Sequence, residues 1–283
     1  MRWSAGGGSD DVEDRRGESG GGGFRPGGIH VGLGGMIVLL ILSVVFKRDF
    51  FSLLGTGGSG TSTTISQPDP ARDQREKPLV DFVTFVLNDT QSTWTQILAK
   101  ENVGYRHAKL VLFRDAIDSA CGMAESATGP FYCPEDEKVY IDLGFYDELK
   151  QRFGAPGDFA QAYVLAHEIG HHVQKVLGIE EKYLQTRRAN PRSANQLSVR
   201  LELQADCFAG VWGHSTQQRN ILESGDVEEG LKAASAVGDD RLQRMATGRV
   251  NPESFTHGSS EQRMHWFTQG YQSGDVSTCN TFQ

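Results

Sequence analysis

Residues 158–178 read Asp158-Phe-Ala-Gln-Ala-Tyr-Val-Leu-Ala-His-Glu-Ile-Gly-His-His-Val-Gln-Lys-Val-Leu-Gly178. An Asp at the start and a Gly at the end are typical helix boundaries, so the stretch predicts one helix of about five turns. On this helix His167 and His171 lie four residues apart, which places both imidazoles on one face. Glu168 lies one position further round, close enough to act on a water bound to the same metal ion. This is the His-Glu-x-x-His pattern of zinc peptidases, and its structural alternative is a helix with solvated histidines.

Residues 193–212 predict a second helix, in which Ser193 and Gln196 have the pattern of a capping box. Glu202 and Asp206 lie four residues apart on one face of that helix. We expect Glu202 to be the third metal ligand, and Asp206 to accept the spare ring N–H of a histidine ligand and so fix its orientation. The alternative is that both acids lie on the surface. Their apolar neighbours predict a mostly buried helix, where an acid needs a partner and a cation is a good one.

The ligand set indicates the kind of metal site. Two histidines and one glutamate leave one position of a zinc ion for water, as in catalytic sites. Zinc lowers the pKa of that water toward about 7, and we expect Glu168 to take its proton as general base and then to protonate the leaving amine. A metzincin would need Gly and His where this chain has Gln174 and Leu177, so that subclass is excluded. The sequence therefore predicts one Zn²⁺, bound by His167, His171 and Glu202.

A developing oxyanion needs a hydrogen-bond donor besides the metal. His257 is the preferred candidate, because it lies in a loop just before a helix that the cap pattern of residues 259–262 predicts. The alternative for His257 is a capping or surface histidine. His214, which follows the second helix, is the rival candidate. His172 points about 100° away from His171 and is expected to pack rather than to bind the metal.

Several segments carry a resemblance to a known family. They are residues 166–174, 202–214 and 256–263, together with residues 1–4 and 12–16 at the start of the chain. These residues resemble the bacterial putative neutral zinc metallopeptidase family, the YpfJ-like membrane proteins, over nearly the whole chain. The resemblance implies a one-pass membrane anchor followed by an α+β, zincin-like domain of the gluzincin type. It implies no particular substrate.

The composition separates the front of the chain from the rest, since half of the 34 glycines fall within residues 1–60. Residues 1–28 combine glycine runs with charges and predict a disordered tail, because they offer too little apolar surface to offset their ordering entropy. Residues 29–46 have only two polar members and predict a transmembrane helix, with a buried core helix or a cleaved signal peptide as alternatives. Residues 47–78 predict a flexible linker, and residues 79–283 predict the zincin-like domain.

Charge and cysteines bear on location. The net charge of 28 − 36 = −8 disfavours general nucleic-acid binding. Four arginines precede the predicted span, whereas Lys47 and Arg48 follow it closely, and this weakly favours an inside N-terminus. We therefore expect a single-pass inner-membrane protein, attached through residues 29–46, with its catalytic domain on the extracytoplasmic side. In that oxidising environment the simplest disulfides are Cys121 with Cys133 and Cys207 with Cys279, and four buried free thiols are the alternative.

The remaining elements are predicted more coarsely. Residues 107–113 and 138–143 alternate as strands do. By resemblance to zincins, residues 138–143 form the edge strand that pairs with an extended peptide, although packing alone would explain them equally well. Residues 130–134 predict the turn that leads into this strand. Residues 226–237 and 261–271 predict two further helices.

The preferred function is a membrane-anchored, zinc-dependent metalloendopeptidase that acts on a peptide or protein substrate. The alternative is a membrane-tethered binding or scaffold protein that keeps the zinc site without turnover. A metal-free structural protein is a third interpretation. The sequence does not indicate which substrate is cleaved, at which residues, with which protein partner or in which oligomeric state.

Overall fold

The computed structural model describes residues 1–18, 70–125 and 129–283. Over these ranges the chain is mixed α+β and mostly helical, as predicted. The strands are β1 Val12–Asp14, β2 Lys109–Phe113, β3 Ala116–Ser119, β4 Gly122–Glu125, β5 Phe131–Cys133 and β6 Lys138–Asp142. The helices are α1 Pro70–Lys100, α2 Gly144–Gln151, α3 Asp158–Val176, α4 Ile179–Ala189, α5 Ala194–Gln218, α6 Asp226–Ala236, α7 Asp239–Thr247 and α8 Ser260–Ser273.

Four strands form the main sheet, in the order β1-β2-β6-β5. β1 and β6 run parallel to β2, whereas β5 runs antiparallel to β6. β3 and β4 form a separate antiparallel hairpin. The prediction that residues 138–143 form the edge is therefore wrong, because β6 is an internal strand. The edge strand next to β6 is β5, where the sequence predicts a turn, since three residues between two prolines are too few to show strand alternation.

Helix α3 carries the predicted histidine ligands and contacts α1, α5 and α6. At its first turn Phe159 stacks on Trp212 of α5, with ring centroids 5.7 Å apart. Gly170 lies between the two histidines, and a Cβ atom built there would lie 2.9 Å from the backbone oxygen of Ala205. Such a contact is too short for any side chain. The glycine therefore lets α5 approach α3 closely enough for the two helices to share one site.

Two disulfide bonds brace the body. Cys121, in the turn of the β3–β4 hairpin, is bonded to Cys133 of β5. Cys207, in the middle of α5, is bonded to Cys279 near the C-terminal end of the chain. These are the pairs expected for an oxidising environment, and the alternative of four free thiols is wrong.

Residues 1–18 belong to the folded body, so the prediction that residues 1–28 are disordered is wrong for this part. Met1 is buried, and its amino group lies 2.9 Å from Asp158 Oδ2 at the start of α3. Trp3 packs against two phenylalanines of α1, with ring centroids 5.2 and 6.3 Å away. β1 then joins the sheet beside β2. The few apolar residues of this segment cannot form a core of their own, but they complete one that the rest of the chain forms.

Helix α1 begins at Pro70, so the predicted linker is wrong for residues 70–78. Proline is common in the first turn of a helix. A proline inside a helix often breaks or kinks it, but α1 continues through Pro78, which is exposed. The preceding turn is held by Glu76, which pairs at 2.7 Å with both Arg16 and Arg114.

The predicted membrane span, residues 29–46, lies outside the described residues, as do residues 19–28 and 47–69. Of the helices in the part of the chain that the structure describes, none combines the length and apolar character that a membrane crossing needs.

Of the two predicted capping boxes, one is present, and Asp158 is the first residue of α3 rather than its N-cap. Ser259 and Gln262 form the capping box at the start of α8. At the start of α5, Ser193 makes no side-chain cap hydrogen bond, because it ends a 3₁₀ turn that leads directly into the helix. The capping box predicted there is wrong, although the helix itself is present.

Replacing Trp3 by alanine tests whether the N-terminal segment contributes to stability. We expect Trp3→Ala to lower the free energy of unfolding by about 2 kcal/mol, less than a fully buried aromatic side chain would, because the ring is partly exposed. Urea denaturation measures this change, and Ser4→Ala, at an exposed neighbouring position, is the control. If Trp3→Ala is as stable as the parent protein, the segment does not stabilise the fold.

Candidate metal centre

Three side chains from two helices converge at one point. His167 and His171 project from successive turns of α3, with ring centroids 4.8 Å apart. Glu202 of α5 places Oε2 3.1 Å from His167 Nε2 and Oε1 3.5 Å from His171 Nε2. Ligands held at about 2.1 Å by a tetrahedral zinc ion lie about 3.4 Å from one another. The donor set and its spacing therefore fit zinc.

Asp206 orients the first histidine. Its Oδ1 atom lies 2.9 Å from His167 Nδ1, and the carboxylate is fully buried. A carboxylate only accepts hydrogen bonds, so Nδ1 donates its proton to Asp206, and Nε2 is the atom that would bind a metal ion after losing its own proton. The structure thus places Asp206 where the sequence predicts it.

Gln174 orients the second histidine in the same way. Its Oε1 atom lies 2.9 Å from His171 Nδ1. Its Nε2 atom donates to the carbonyl of Leu201 and to Gln204 Oε1, at 2.7 and 3.1 Å. Because the amide nitrogen is engaged as a donor, the oxygen accepts from His171, and His171 Nε2 is directed to the site. The sequence does not predict this role, although the i, i+3 spacing on α3 is its signal.

Arg263 and Tyr163, also missed, complete the surroundings of Asp206. Arg263 Nε donates to Asp206 Oδ2 at 2.8 Å and Arg263 Nη2 to Asp206 Oδ1 at 2.9 Å, while the Tyr163 hydroxyl donates to Oδ1. Arg263 is only 4% exposed, so each charge compensates the other in a buried place. The signal in the sequence is helical spacing, since Arg263 lies on the same buried face of α8 as Phe267 and Gly270.

The charged groups of the site shift one another's pKa values. Burial disfavours protonated His167, but Asp206 and Glu202 outweigh burial and raise its pKa to about 10. Burial likewise opposes ionisation of Glu202, yet the neighbouring histidines, His171 first, hold its pKa well below the ordinary value. Burial raises the pKa of Glu168, and His167 and His171 oppose that rise. Glu202 is thus a carboxylate, the form that binds a cation.

A cavity of about 470 Å³ opens beside these residues. Glu168 and His257 line it together with the three candidate ligands. Its volume is in the range of ligand sites, which combine a mostly apolar surface with a few polar groups. The apolar wall consists of Phe145, Phe153, Val164, Val237 and Leu242.

Asp239 holds the loop that carries His257. Its Oδ2 atom accepts hydrogen bonds from the backbone N–H groups of Thr256, His257 and Gly258, at 2.7, 2.7 and 3.0 Å. Its Oδ1 atom lies 3.4 Å from His257 Nδ1. The His257 side chain is half exposed, so it faces the cavity from a loop whose backbone is fixed. The sequence does not predict α7, which begins at Asp239.

Two other histidines do not line the cavity. His214 Nδ1 lies 2.7 Å from the carbonyl oxygen of Tyr271. The side chain of His214 is therefore directed away from the cavity, and His214 is not placed to act as the oxyanion donor in place of His257. His172 contacts the Tyr132 hydroxyl at 3.0 Å and the carbonyl oxygen of Arg106 at 2.7 Å. It therefore packs between α3 and the sheet, as the helical period predicts.

Comparison with known proteins identifies the family. The family model described as putative neutral zinc metallopeptidase matches residues 1–282. The chain belongs to this family. The uncharacterized protein YpfJ of Escherichia coli (strain K12) is 50% identical over 289 residues, covering 100% of this chain and 99% of the relative. The uncharacterized protein Rv2575 of Mycobacterium tuberculosis (strain ATCC 25618 / H37Rv) is 43% identical over 206 residues, covering 69% of this chain and 68% of the relative. No solved structure matches the chain.

Membership of the zinc metallopeptidase family confirms the resemblance and implies zinc as the metal. His167, His171 and Glu202 form a group whose ligand atoms all lie within 4.8 Å of one another. A second group of that kind, formed by Asp158, Asp226 and Glu229, contains no histidine. Two of its carboxylates pair with the amino group of Met1, so this acidic group already has a cation.

Replacing Asp206 tests the orientation of His167. We expect Asp206→Asn to weaken zinc binding about tenfold or more, because the amide no longer holds Nδ1–H as a carboxylate does. Competition with a chromophoric chelator measures the affinity. Because Asp206→Asn also leaves Arg263 without its carboxylate, a milder second variant, Tyr163→Phe, is included. We expect Tyr163→Phe to fold normally and to bind zinc less tightly than the parent protein, by a smaller factor than Asp206→Asn. Unchanged zinc affinity in both variants contradicts the role of Asp206.

Proposed function

We propose that the protein is a zinc-dependent metalloendopeptidase with a zincin-like site of the gluzincin type and one zinc ion. The observation that supports this proposal is the convergence of two histidine Nε2 atoms and the Glu202 carboxylate, with Glu168 on the wall of the same cavity. The description of the family supports the same reaction class. The substrate is a peptide or protein.

The proposed reaction assigns one task to each polar group. The ion, when bound, acts as a Lewis acid toward water and the peptide carbonyl. Glu168 accepts a proton from the attacking water and transfers it to the leaving nitrogen. His257 donates a hydrogen bond to the carbonyl oxygen as negative charge develops there. Asp206 and Gln174 act through the histidines that they orient.

The edge strand β5 supports an extended peptide as the substrate. Pro130, Phe131, Tyr132 and Pro134, in and beside β5, line the cavity. β5 pairs with β6 on one side only, which leaves its other edge for main-chain pairing with a peptide. This assigns to β5 the role that the sequence analysis gave to residues 138–143.

Replacing Glu168 by glutamine separates catalysis from metal binding. We expect Glu168→Gln to bind zinc as the parent protein does and to lose hydrolysis, because the amide cannot accept a proton. Mass spectrometry of peptides released from a mixed peptide substrate measures activity, and a chelator-treated sample of the parent protein is the control. Cleavage by Glu168→Gln at the parental rate contradicts the role of Glu168. Absence of chelator-sensitive cleavage in the parent protein favours the zinc-binding scaffold instead.

We also propose that the body lies in an oxidising, extracytoplasmic compartment at the inner membrane. The two disulfide bonds support this location.

The parallel pairing of β1 with β2 restricts how the chain can cross the membrane. A single crossing by residues 29–46 would place these two strands on opposite sides of the membrane, so single-pass topology and the described sheet cannot both hold in one folded chain. Membrane attachment through residues 29–46 therefore requires that both flanking segments lie on the same side.

Single introduced cysteines test this topology, because the native cysteines are disulfide-bonded. We expect Gly7→Cys and Gln272→Cys, both at exposed positions, to react equally with a membrane-impermeant maleimide added to intact spheroplasts. Lysed spheroplasts provide the reference for complete labelling. Labelling of position 272 but not of position 7 would support a single membrane crossing and contradict the pairing of β1 with β2. Labelling of neither position before lysis would place the body in the cytoplasm.

A further inference from the structure

Three carboxylates line the cavity as the structure describes it, and the proposed reaction uses two of them, Glu168 and Glu202. The third is Glu180, in the first turn of α4. Its side chain is 13% exposed. An acid in a first helical turn is favoured by the helix dipole, but this acid faces the cavity rather than solvent. Its neighbour Glu181 is the exposed acid of that turn.

The Glu180 carboxylate is under-satisfied. Its Oε2 atom is buried without a hydrogen-bond partner. The nearest cation is the Lys175 ammonium at 3.8 Å, beyond hydrogen-bond distance, on a side chain that is 37% exposed. A buried carboxylate oxygen without a hydrogen bond is costly to keep. A cation that entered the cavity would form a charge-assisted hydrogen bond with the accessible part of the carboxylate and would compensate the charge that the buried Oε2 atom shares.

The surrounding charges also favour a cation at this end of the cavity. Burial raises the pKa of Glu180, and the negative charges of Glu135 and Glu137 raise it further, whereas Lys175 and His171 oppose the rise. Glu137 is already paired with Arg106, but Glu135 is exposed at the same rim. The apolar wall of the same cavity offers no charge to compete for a cationic group.

We infer that Glu180 is a specificity-determining residue, which binds a cationic group of the peptide substrate while the apolar wall receives an uncharged side chain. This inference rests on the proposed endopeptidase function and gives its substrate class. The cation is a Lys or Arg side chain or a free α-ammonium group. All three present N–H donors to the Glu180 carboxylate.

The test uses the zinc-loaded full-length protein and paired peptides. The members of a pair differ by Lys or Gln at one position, and this position is moved along a peptide that the protein cleaves. Each peptide is made with a free and with an acetylated N-terminus, which separates a side-chain cation from an α-ammonium group. We expect kcat/KM of the parent protein to be about tenfold higher for the cationic member at one position. Glu180→Gln lowers that ratio to about one.

Glu181→Gln is the matched control, since it removes an acid from the same helical turn outside the cavity. It should leave the ratio at its parental value. A ratio of about one at every position in the parent protein overturns the inference. It is also overturned if Glu180→Gln keeps the parental ratio, or if Glu181→Gln loses it equally.

A binding measurement distinguishes failure of this inference from failure of the proposed function. The same peptide pairs are titrated into zinc-loaded Glu168→Gln protein, with and without Glu180→Gln, and the affinity ratio of the cationic and neutral members is measured by fluorescence anisotropy. If the parent protein hydrolyses no peptide but the affinity ratio depends on Glu180, the endopeptidase activity is wrong and the cation site stands. If hydrolysis occurs without any preference for a cation, the activity stands and the role of Glu180 is wrong.

Discussion

The buried carboxylate of Asp206 is the interaction on which the rest of the site depends. It accepts hydrogen bonds from groups on α3 and α8, the ring of His167, the hydroxyl of Tyr163 and the guanidinium of Arg263. Removing one partner from a buried ion pair costs about 3–5 kcal/mol, because the other charge is left uncompensated. The three helices therefore cannot separate without exposing or orphaning a charge, and the position of His167 follows from that constraint.

Close helix packing makes this interaction geometrically accessible. Gly170 lets α3 approach α5, and a Cβ atom at Gly270 of α8 would lie 1.9 Å from the backbone oxygen of Cys207 in α5. Both glycines remove side-chain bulk where backbones nearly touch. Cys207 is also held by its disulfide to Cys279, directly beside Asp206. The helices that carry the candidate ligands are thus fixed by backbone packing and a covalent bond, while the loop of His257 is fixed by hydrogen bonds to Asp239.

The part of the site that could be predicted is the part carried by single helices. The i, i+4 spacing places His167 with His171, and Glu202 with Asp206, whatever the rest of the chain does. The expected elements also appear for residues 107–113 and 138–143. The edge strand was missed because Phe131–Cys133 is too short for a periodic pattern. The N-terminal segment was misjudged for a different reason: its glycines and charges resemble a disordered tail, and its apolar residues find their partners only in α1 and the sheet.

Local sequence patterns are enough to predict the residue types for a zinc site, their helices and the family, because helical periodicity and donor chemistry are local properties. Three features follow from the folded chain alone: which faces of α3 and α5 meet, the hydrogen bonds of Arg263 to Asp206 and of Gln174 to His171, and the position of β5 as the edge strand beside the cavity. The tertiary structure also shows that β1 lies next to β2, which makes the N-terminal segment part of the folded body. These features depend on contacts between residues far apart in the chain, which no local pattern encodes.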